Sequence, residues 1–206
     1  MTFTPKDFGP QIMQLDGISK KTIEEHLKLY TGYVNKTNEI LDKLPKVDLS
    51  TANQVFSDVR ALKVELSFAV GGMQNHELYF SHLKAGGGRP TGDMARQIDK
   101  DFGGYDMYLK DLKASGLSGR GWAWTVGFPT AGRLINWIGD SQNTYLSWDL
   151  KPILALDVYE HAYLLDFGVN RGAYIDTFVK NIDWECVAKD YEQARMTSEA
   201  GMPHWH

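Results

Sequence analysis

Residues 85 to 90, Ala-Gly-Gly-Gly-Arg-Pro, cannot continue a helix, because three adjacent glycines cost backbone entropy and the proline removes a donor. The stretch divides the 206-residue chain into parts with different hydrophobic periods. Before it, apolar residues mostly recur at three or four. Ser19 is placed to cap a helix reaching about residue 44, with Ile23, Leu27, Tyr30, Val34, Ile40, Leu41 and Leu44 on its buried stripe. A longer helix is expected from near Ser50 to about His82, carrying Phe56, Val59, Leu62, Leu66, Ala69, Met73, Phe80 and Leu83. Beyond the glycines, 93–102 and 105–112 read as short helices parted by Gly103-Gly104. The runs "GWAWTVGF", "GRLINWIGD" and "PILALDVY" are short, aromatic and β-branched, separated by Pro129-Thr130-Ala131-Gly132 and by a polar segment over 140–149. They predict three antiparallel strands, followed by a final helix from about Gly172 to Met196. The expected fold is α+β: an N-terminal helical hairpin domain over 1–88, and a C-terminal mixed domain over 89–206 with a three-stranded antiparallel sheet.

Charge narrows the functional classes. With 22 Lys plus Arg against 26 Asp plus Glu the net charge is -4, and no basic run exceeds a pair, so neither nucleic acid nor a membrane surface is an expected partner. No run of 18 apolar residues occurs to span a bilayer, and the first 25 residues lack a secretory pattern. The single cysteine, Cys186, excludes an intramolecular disulfide and suits a reducing compartment. The expected location is the cytoplasm, or an organelle matrix after removal of a transit peptide.

Polar residues on apolar faces carry the chemistry. His26 and His76 fall on the buried stripes of the two long helices, and His161 follows a buried strand with Asp157 four residues before it. Taken singly, each histidine fits a hydrogen-bonded core residue. Burying three imidazoles and a carboxylate together costs several kcal/mol per unpaired ion, whereas one divalent cation satisfies all four groups. Such a mixed set suits iron, manganese or zinc rather than copper(I). His82, six residues after His76, lies on another face and is expected at the surface; His204 and His206 belong to a solvated tail, "EAGMPHWH".

Four blocks in this order, "GGMQNH" (71–76), "GWAW" (121–124), "DVYEHAY" (157–163) and "NIDWECV" (181–187), resemble the iron/manganese superoxide dismutase family. The third differs from the family signature DVWEHAY only by Tyr159 in place of tryptophan. The resemblance covers roughly residues 18–190 and implies one manganese or iron per chain, held by His26, His76, Asp157 and His161. It implies redox cycling of that metal, with superoxide converted to dioxygen and hydrogen peroxide. Glu160 would then meet the ligand histidine of a second subunit in an isologous homodimer or a dimer of dimers.

The same resemblance assigns roles around the metal. Most iron enzymes place a glutamine four residues before the second histidine, where this chain has Gly72; manganese enzymes supply it from the loop before the last strand, where Gln142 fits. The pair therefore favours manganese. Trp122 and Trp124 form an aromatic wall, and Lys28 and Arg171 match basic positions near the substrate funnel. Tyr33 matches the gateway tyrosine, seven residues after His26 (33 − 26) where the family usually has eight. Seven residues of helix turn through about 700°, so both share a face and no widened turn is expected. Leu29 and Tyr30 replace a histidine pair that in the family meets a tyrosine across the dimer, leaving Tyr163 without that partner. Two alternatives follow: a catalytically impaired relative kept as a metal-binding or interaction protein, and a zinc hydrolase, for which no second catalytic carboxylate is evident.

Overall fold

The computed structural model describes residues 2–128, 131–144, 147–148 and 150–199, with side chains to residue 195. Pro129, Thr130 and the tail from residue 200, including His204 and His206, lie outside the described residues.

Helix α1 (Lys20–Lys43) begins where the sequence places its cap: the Ser19 hydroxyl accepts from the Thr22 amide at 3.2 Å. Its buried stripe holds Ile23, His26, Tyr30, Val34, Thr37 and Ile40, and it is α-helical throughout with no widened turn, as the seven-residue spacing requires. The Leu44-Pro45 step ends it in a single 3-10 turn, Leu44–Lys46.

Helix α2 (Asp58–Ser81) starts later than the apolar period suggests. The Asn53 side chain accepts from the amides of Val55 and Phe56 at 2.8 and 3.3 Å, holding this segment in a turn, and Ser57 then caps the helix. Phe56, in phase with the stripe, is 75% exposed in that turn and takes no part in the helix.

In the second half, α3 (Gly92–Phe102) stops at Gly103, whose φ of 79° is left-handed, and α4 (Tyr105–Ser118) runs past the expected end at Leu112. Strands β1 (Trp122–Phe128), β2 (Arg133–Gly139) and β3 (Lys151–Asp157) form the expected antiparallel sheet in the order β2-β1-β3. The register sets Trp122 opposite Asp157 on one side and Gly139 on the other. Edge strand β3 is fully buried from Ile153 to Asp157, with α2 packed against it.

The expected single C-terminal helix is two. After the short α5 (Leu164–Phe167), helix α6 (Arg171–Lys180) and helix α7 (Trp184–Glu199) are parted by Asn181-Ile182-Asp183. Asn181 exchanges hydrogen bonds with the backbone of Asp16, accepting from its amide and donating to its carbonyl, each at 2.8 Å. Ile182 forms an antiparallel bridge to Leu83, extended by Lys84 N–H to Asn181 O and Asp183 N–H to His82 O, both 2.8 Å. These three residues thus pair with the end of the hairpin instead of continuing a helix. Gly87 makes this approach possible, since a Cβ there would lie 1.6 Å from the Ile182 carbonyl oxygen.

Candidate metal centre

Four elements deliver one residue each to a point between the two halves. His26 comes from the middle of α1, His76 from the last turns of α2, Asp157 from the end of β3, and His161 from the 3-10 turn Glu160–Ala162. Their ligand atoms all lie within 4.8 Å of one another. The Nε2 atoms of His161, His26 and His76 stand 3.0, 3.1 and 3.5 Å from the same oxygen, Oδ2 of Asp157. Asp157 and His76 are fully buried, His26 nearly so, and the His161 side chain keeps 28% exposure, which leaves one open side.

Hydrogen bonds fix these groups from behind. His76 Nδ1 lies 2.6 Å from the Gly72 carbonyl oxygen; a carbonyl can only accept, so Nδ1 carries the proton and Nε2 presents a lone pair toward Asp157. That Nε2 has no hydrogen-bond partner of its own. Asp157 Oδ1 accepts from the Tyr159 amide at 2.9 Å, which turns Oδ2 toward the imidazoles. A lone pair of His76 facing a carboxylate oxygen at 3.5 Å is unfavourable with nothing positive between them, and a cation among the four ligand atoms satisfies them all. The donor set, three imidazoles and a carboxylate, fits manganese, iron or zinc.

Charge is arranged consistently. Burial lowers the pKa of His26, and that of His76 to about 3, so both rings are neutral and able to coordinate near neutral pH. Burial alone would raise Asp157, but its contacts with His161 and His26 outweigh this and hold the carboxylate below its usual range.

Around this centre Gln142 is buried. Its amide donates to the Tyr33 hydroxyl at 3.3 Å, and its carbonyl accepts from Trp122 Nε1 at 3.0 Å. The Tyr33 ring lies 5.4 Å from His76, and Trp122 meets the same imidazole edge-on at 5.2 Å. Trp124 stacks on Trp122 at 6.2 Å, which puts a second indole behind the one that meets His76. Tyr159 stacks on His161 at 5.2 Å, and burial pushes the pKa of its hydroxyl up to about 12.

Two glycines of α2 allow these approaches. A Cβ at Gly72 would sit 2.5 Å from the Tyr33 ring, and one at Gly71 would sit 2.1 Å from the Gln142 carbonyl oxygen. Tyr33 thus fills the space into which a glutamine at position 72 would project, and the loop glutamine comes in beside it.

Other expected site residues lie elsewhere. Tyr163 is buried within its own chain: it stacks on Tyr174 at 5.1 Å and accepts from Arg171 Nε at 3.2 Å. Arg171 also donates to the Gly119 carbonyl at 2.7 Å, which anchors its guanidinium within the chain. Lys28 is exposed and pairs with Glu25 at 2.7 Å. Tyr30 points to the N-terminal segment, accepting from the Lys6 amide and donating to Glu77, while Leu29 is partly exposed. Glu160 is exposed. His82, expected at the surface, is instead fully buried and paired with Asp190.

Three neighbours of the centre escaped the sequence reading. Tyr79 packs 5.1 Å from His26 and shares a hydrogen bond with the Tyr174 hydroxyl at 3.2 Å. Asn75 donates to the Gln142 carbonyl at 3.2 Å, and Asn143 donates to Ser67 at 2.8 Å; together they fasten the 140–144 loop to α2. The signal for Asn75 was helical spacing, since 71, 72, 75 and 76 share one face of α2.

The fold and site together define a metalloprotein with one mononuclear three-histidine, one-aspartate centre set between a helical hairpin and a mixed domain. Residues 14–84 match the alpha-hairpin domain of the iron/manganese superoxide dismutases, and residues 90–190 match the C-terminal domain of the same family. The chain belongs to the iron/manganese superoxide dismutase family. It is 43% identical over 203 residues to a superoxide dismutase [Fe] of Aquifex aeolicus, covering 95% of this chain and 94% of the relative. It is 35% identical over 199 residues to a superoxide dismutase [Fe] of Cupriavidus metallidurans, covering 94% of this chain and 98% of the relative. It is 34% identical over 184 residues to a superoxide dismutase [Mn] of Listeria innocua, covering 85% of this chain and 90% of the relative.

Proposed function

We propose that this protein dismutates superoxide at the His26, His76, Asp157 and His161 centre, and that manganese is its working metal. The observation that carries the reading is the convergence of three imidazole Nε2 atoms on one buried carboxylate oxygen. Two superoxide ions and two protons give one dioxygen and one hydrogen peroxide. The metal, when bound, supplies the one-electron exchange with each superoxide in turn.

The chain's own residues then handle geometry and protons. Asp157 offsets part of the metal's charge, and the neutral rings of His26 and His76 add none. Tyr33 is half-buried and hydrogen-bonded to Gln142; burial raises its pKa, so its hydroxyl stays protonated at the open side. Gln142 is held by Trp122 and Tyr33 and would orient solvent and substrate beside a bound metal.

The preference for manganese rests on the glutamine's origin: Gln142 reaches in from the loop, and Tyr33 occupies the space beside Gly72. The relatives' names divide between iron and manganese, with iron on the 43% identical chains. Refilling metal-free protein with each metal separately tests this. Dismutation at equal occupancy is expected to be at least about tenfold faster with manganese, outer hydrogen bonds being worth 10–100-fold. Equal or greater activity with iron would overturn the assignment.

Exposed Glu160 precedes His161, with Leu164 and Leu165 also exposed, and burial of this charged and apolar patch against its own copy would give an isologous homodimer. Sedimentation is expected to give twice the 23.3 kDa chain mass, falling to one chain in Glu160→Ala. A native protein sedimenting as a single chain would exclude the dimer.

A further inference from the structure

A second mixed cluster of metal-ligating side chains lies apart from this centre. His82, which caps the C-terminus of α2, and Cys186 and Asp190 of α7 each offer a ligand atom, and these atoms lie within 4.8 Å of one another. Cys186 and Asp190 stand four residues apart on one helix face. His82 is fully buried; its Nε2 donates to Asp190 Oδ2 at 2.8 Å, and its Nδ1 has no hydrogen-bond partner. An unsatisfied buried polar atom costs about 1–3 kcal/mol.

The surrounding backbone holds the three residues in place. The Leu83–Ile182 bridge and the Asp183 N–H to His82 O bond at 2.8 Å lock the end of α2 to the start of α7. Asp183 Oδ1 then accepts from the amides of Glu185 and Cys186 at 3.1 and 3.3 Å, fixing the first turn that carries the thiol. Asp190 also lines an open cleft of about 520 Å³ together with Asp7, Glu77 and Lys6, the last paired with Glu77 at 2.6 Å, so a cation can reach Asp190 from solvent.

We propose that His82, Cys186 and Asp190 form a second metal site, specific for a zinc-type divalent cation, that ties the end of the helical hairpin to the C-terminal helix. One thiolate, one imidazole and one carboxylate select a borderline metal over calcium or magnesium, and three protein ligands leave a fourth position for water. A nucleophilic role for Cys186 is disfavoured, because burial, Asp190 and Asp183 all raise its pKa and keep it a thiol. A cation would reverse that bias: the thiol gives up its proton to solvent and the sulfur binds the metal, while the nearby carboxylates are neutralised.

Cobalt(II) is the direct probe, added to the full-length protein with manganese or iron already in its main centre. One equivalent is expected to bind with a near-ultraviolet sulfur-to-cobalt charge-transfer band, which zinc displaces and which is lost in Cys186→Ser and weakened in Asp190→Asn. Cobalt held by the tail residues His204 and His206 would give no sulfur band. Zinc at about a hundred times its dissociation constant should raise the melting temperature by roughly 5–10 °C and slow modification of Cys186 by a thiol reagent. Both are readable on the unmutated protein, and dismutation by Cys186→Ser holoenzyme should be unchanged. Absence of the sulfur band from the native protein, or its survival in Cys186→Ser, would overturn the site.

Discussion

Asp157→Asn is expected to leave a folded chain that holds less than about a tenth of the normal metal and has lost more than about 100-fold in dismutation rate, beyond the 10–100-fold typical of outer partners. The substitution keeps the shape of the side chain, and its amide oxygen can still accept from the Tyr159 amide, as Asp157 Oδ1 now does at 2.9 Å. What it removes is the one negative charge on which three Nε2 atoms converge between 3.0 and 3.5 Å. The rings themselves are poor substitutes: burial keeps His26 and His76 neutral, so they donate lone pairs but contribute no charge. Truncating a partner of a buried charged pair costs about 3–5 kcal/mol, and the neutrality of these rings puts the folding cost below that figure. Elemental analysis with circular dichroism separates metal loss from unfolding. A fully loaded, active Asp157→Asn would sink the ligand assignment.

Gly71→Ala should be the most damaging glycine-to-alanine change within the two long helices, and Gly32→Ala is its control. Both glycines lie inside long helices, where alanine alone stabilises by about 0.5–1 kcal/mol. At Gly32 of α1 nothing lies within 4 Å of the added carbon, so that variant should gain stability. At Gly71 of α2 the carbon would meet the Gln142 carbonyl oxygen at 2.1 Å and its carbonyl carbon at 2.8 Å. Those atoms are backbone, and the loop around them is tied down by Asn75 and Asn143, so relief requires moving the loop itself. The expected cost is about 1–3 kcal/mol, the usual range for overpacking. Gln142 would be carried away from Tyr33 and Trp122, and activity should fall by about tenfold or more with metal content little changed. Melting curves and assays on both variants decide the matter; a Gly71→Ala protein as stable and active as Gly32→Ala would contradict the proposed packing.

Local signals gave much of this architecture. The Ser19 cap, the Gly103 stop and the three strands all depend on nearby residues, and the structure follows them. The imidazoles of His26 and His76 could be picked out because apolar stripes are costly places for polar rings, and the block around Asp157 and His161 linked them to a known family. The misses have a common cause in contacts made far along the chain. Asn181 binds Asp16 across 165 residues, and Ile182 pairs with Leu83, so a helical pattern over 172–196 broke where no local signal required it. His82 lies off the face of His76 yet is buried by α7, 108 residues away in sequence through Asp190. The motif that holds Tyr163 does not describe the elements that supply the contacts of Tyr163 and Arg171 within the chain, Tyr174 and Gly119. The start of α2 failed for the opposite reason, because Phe56 kept the helical phase within an Asn53 turn.

In the proposed mechanism one redox metal, held by His26, His76, Asp157 and His161, carries the activity. The most direct measurement titrates metal-free protein with manganese, and separately with iron, reading bound metal and dismutation rate on the same samples. Activity rising in proportion to occupancy and levelling at one metal per chain is the predicted result. One metal per chain with no dismutation would contradict it and leave a metal-binding interaction protein in its place.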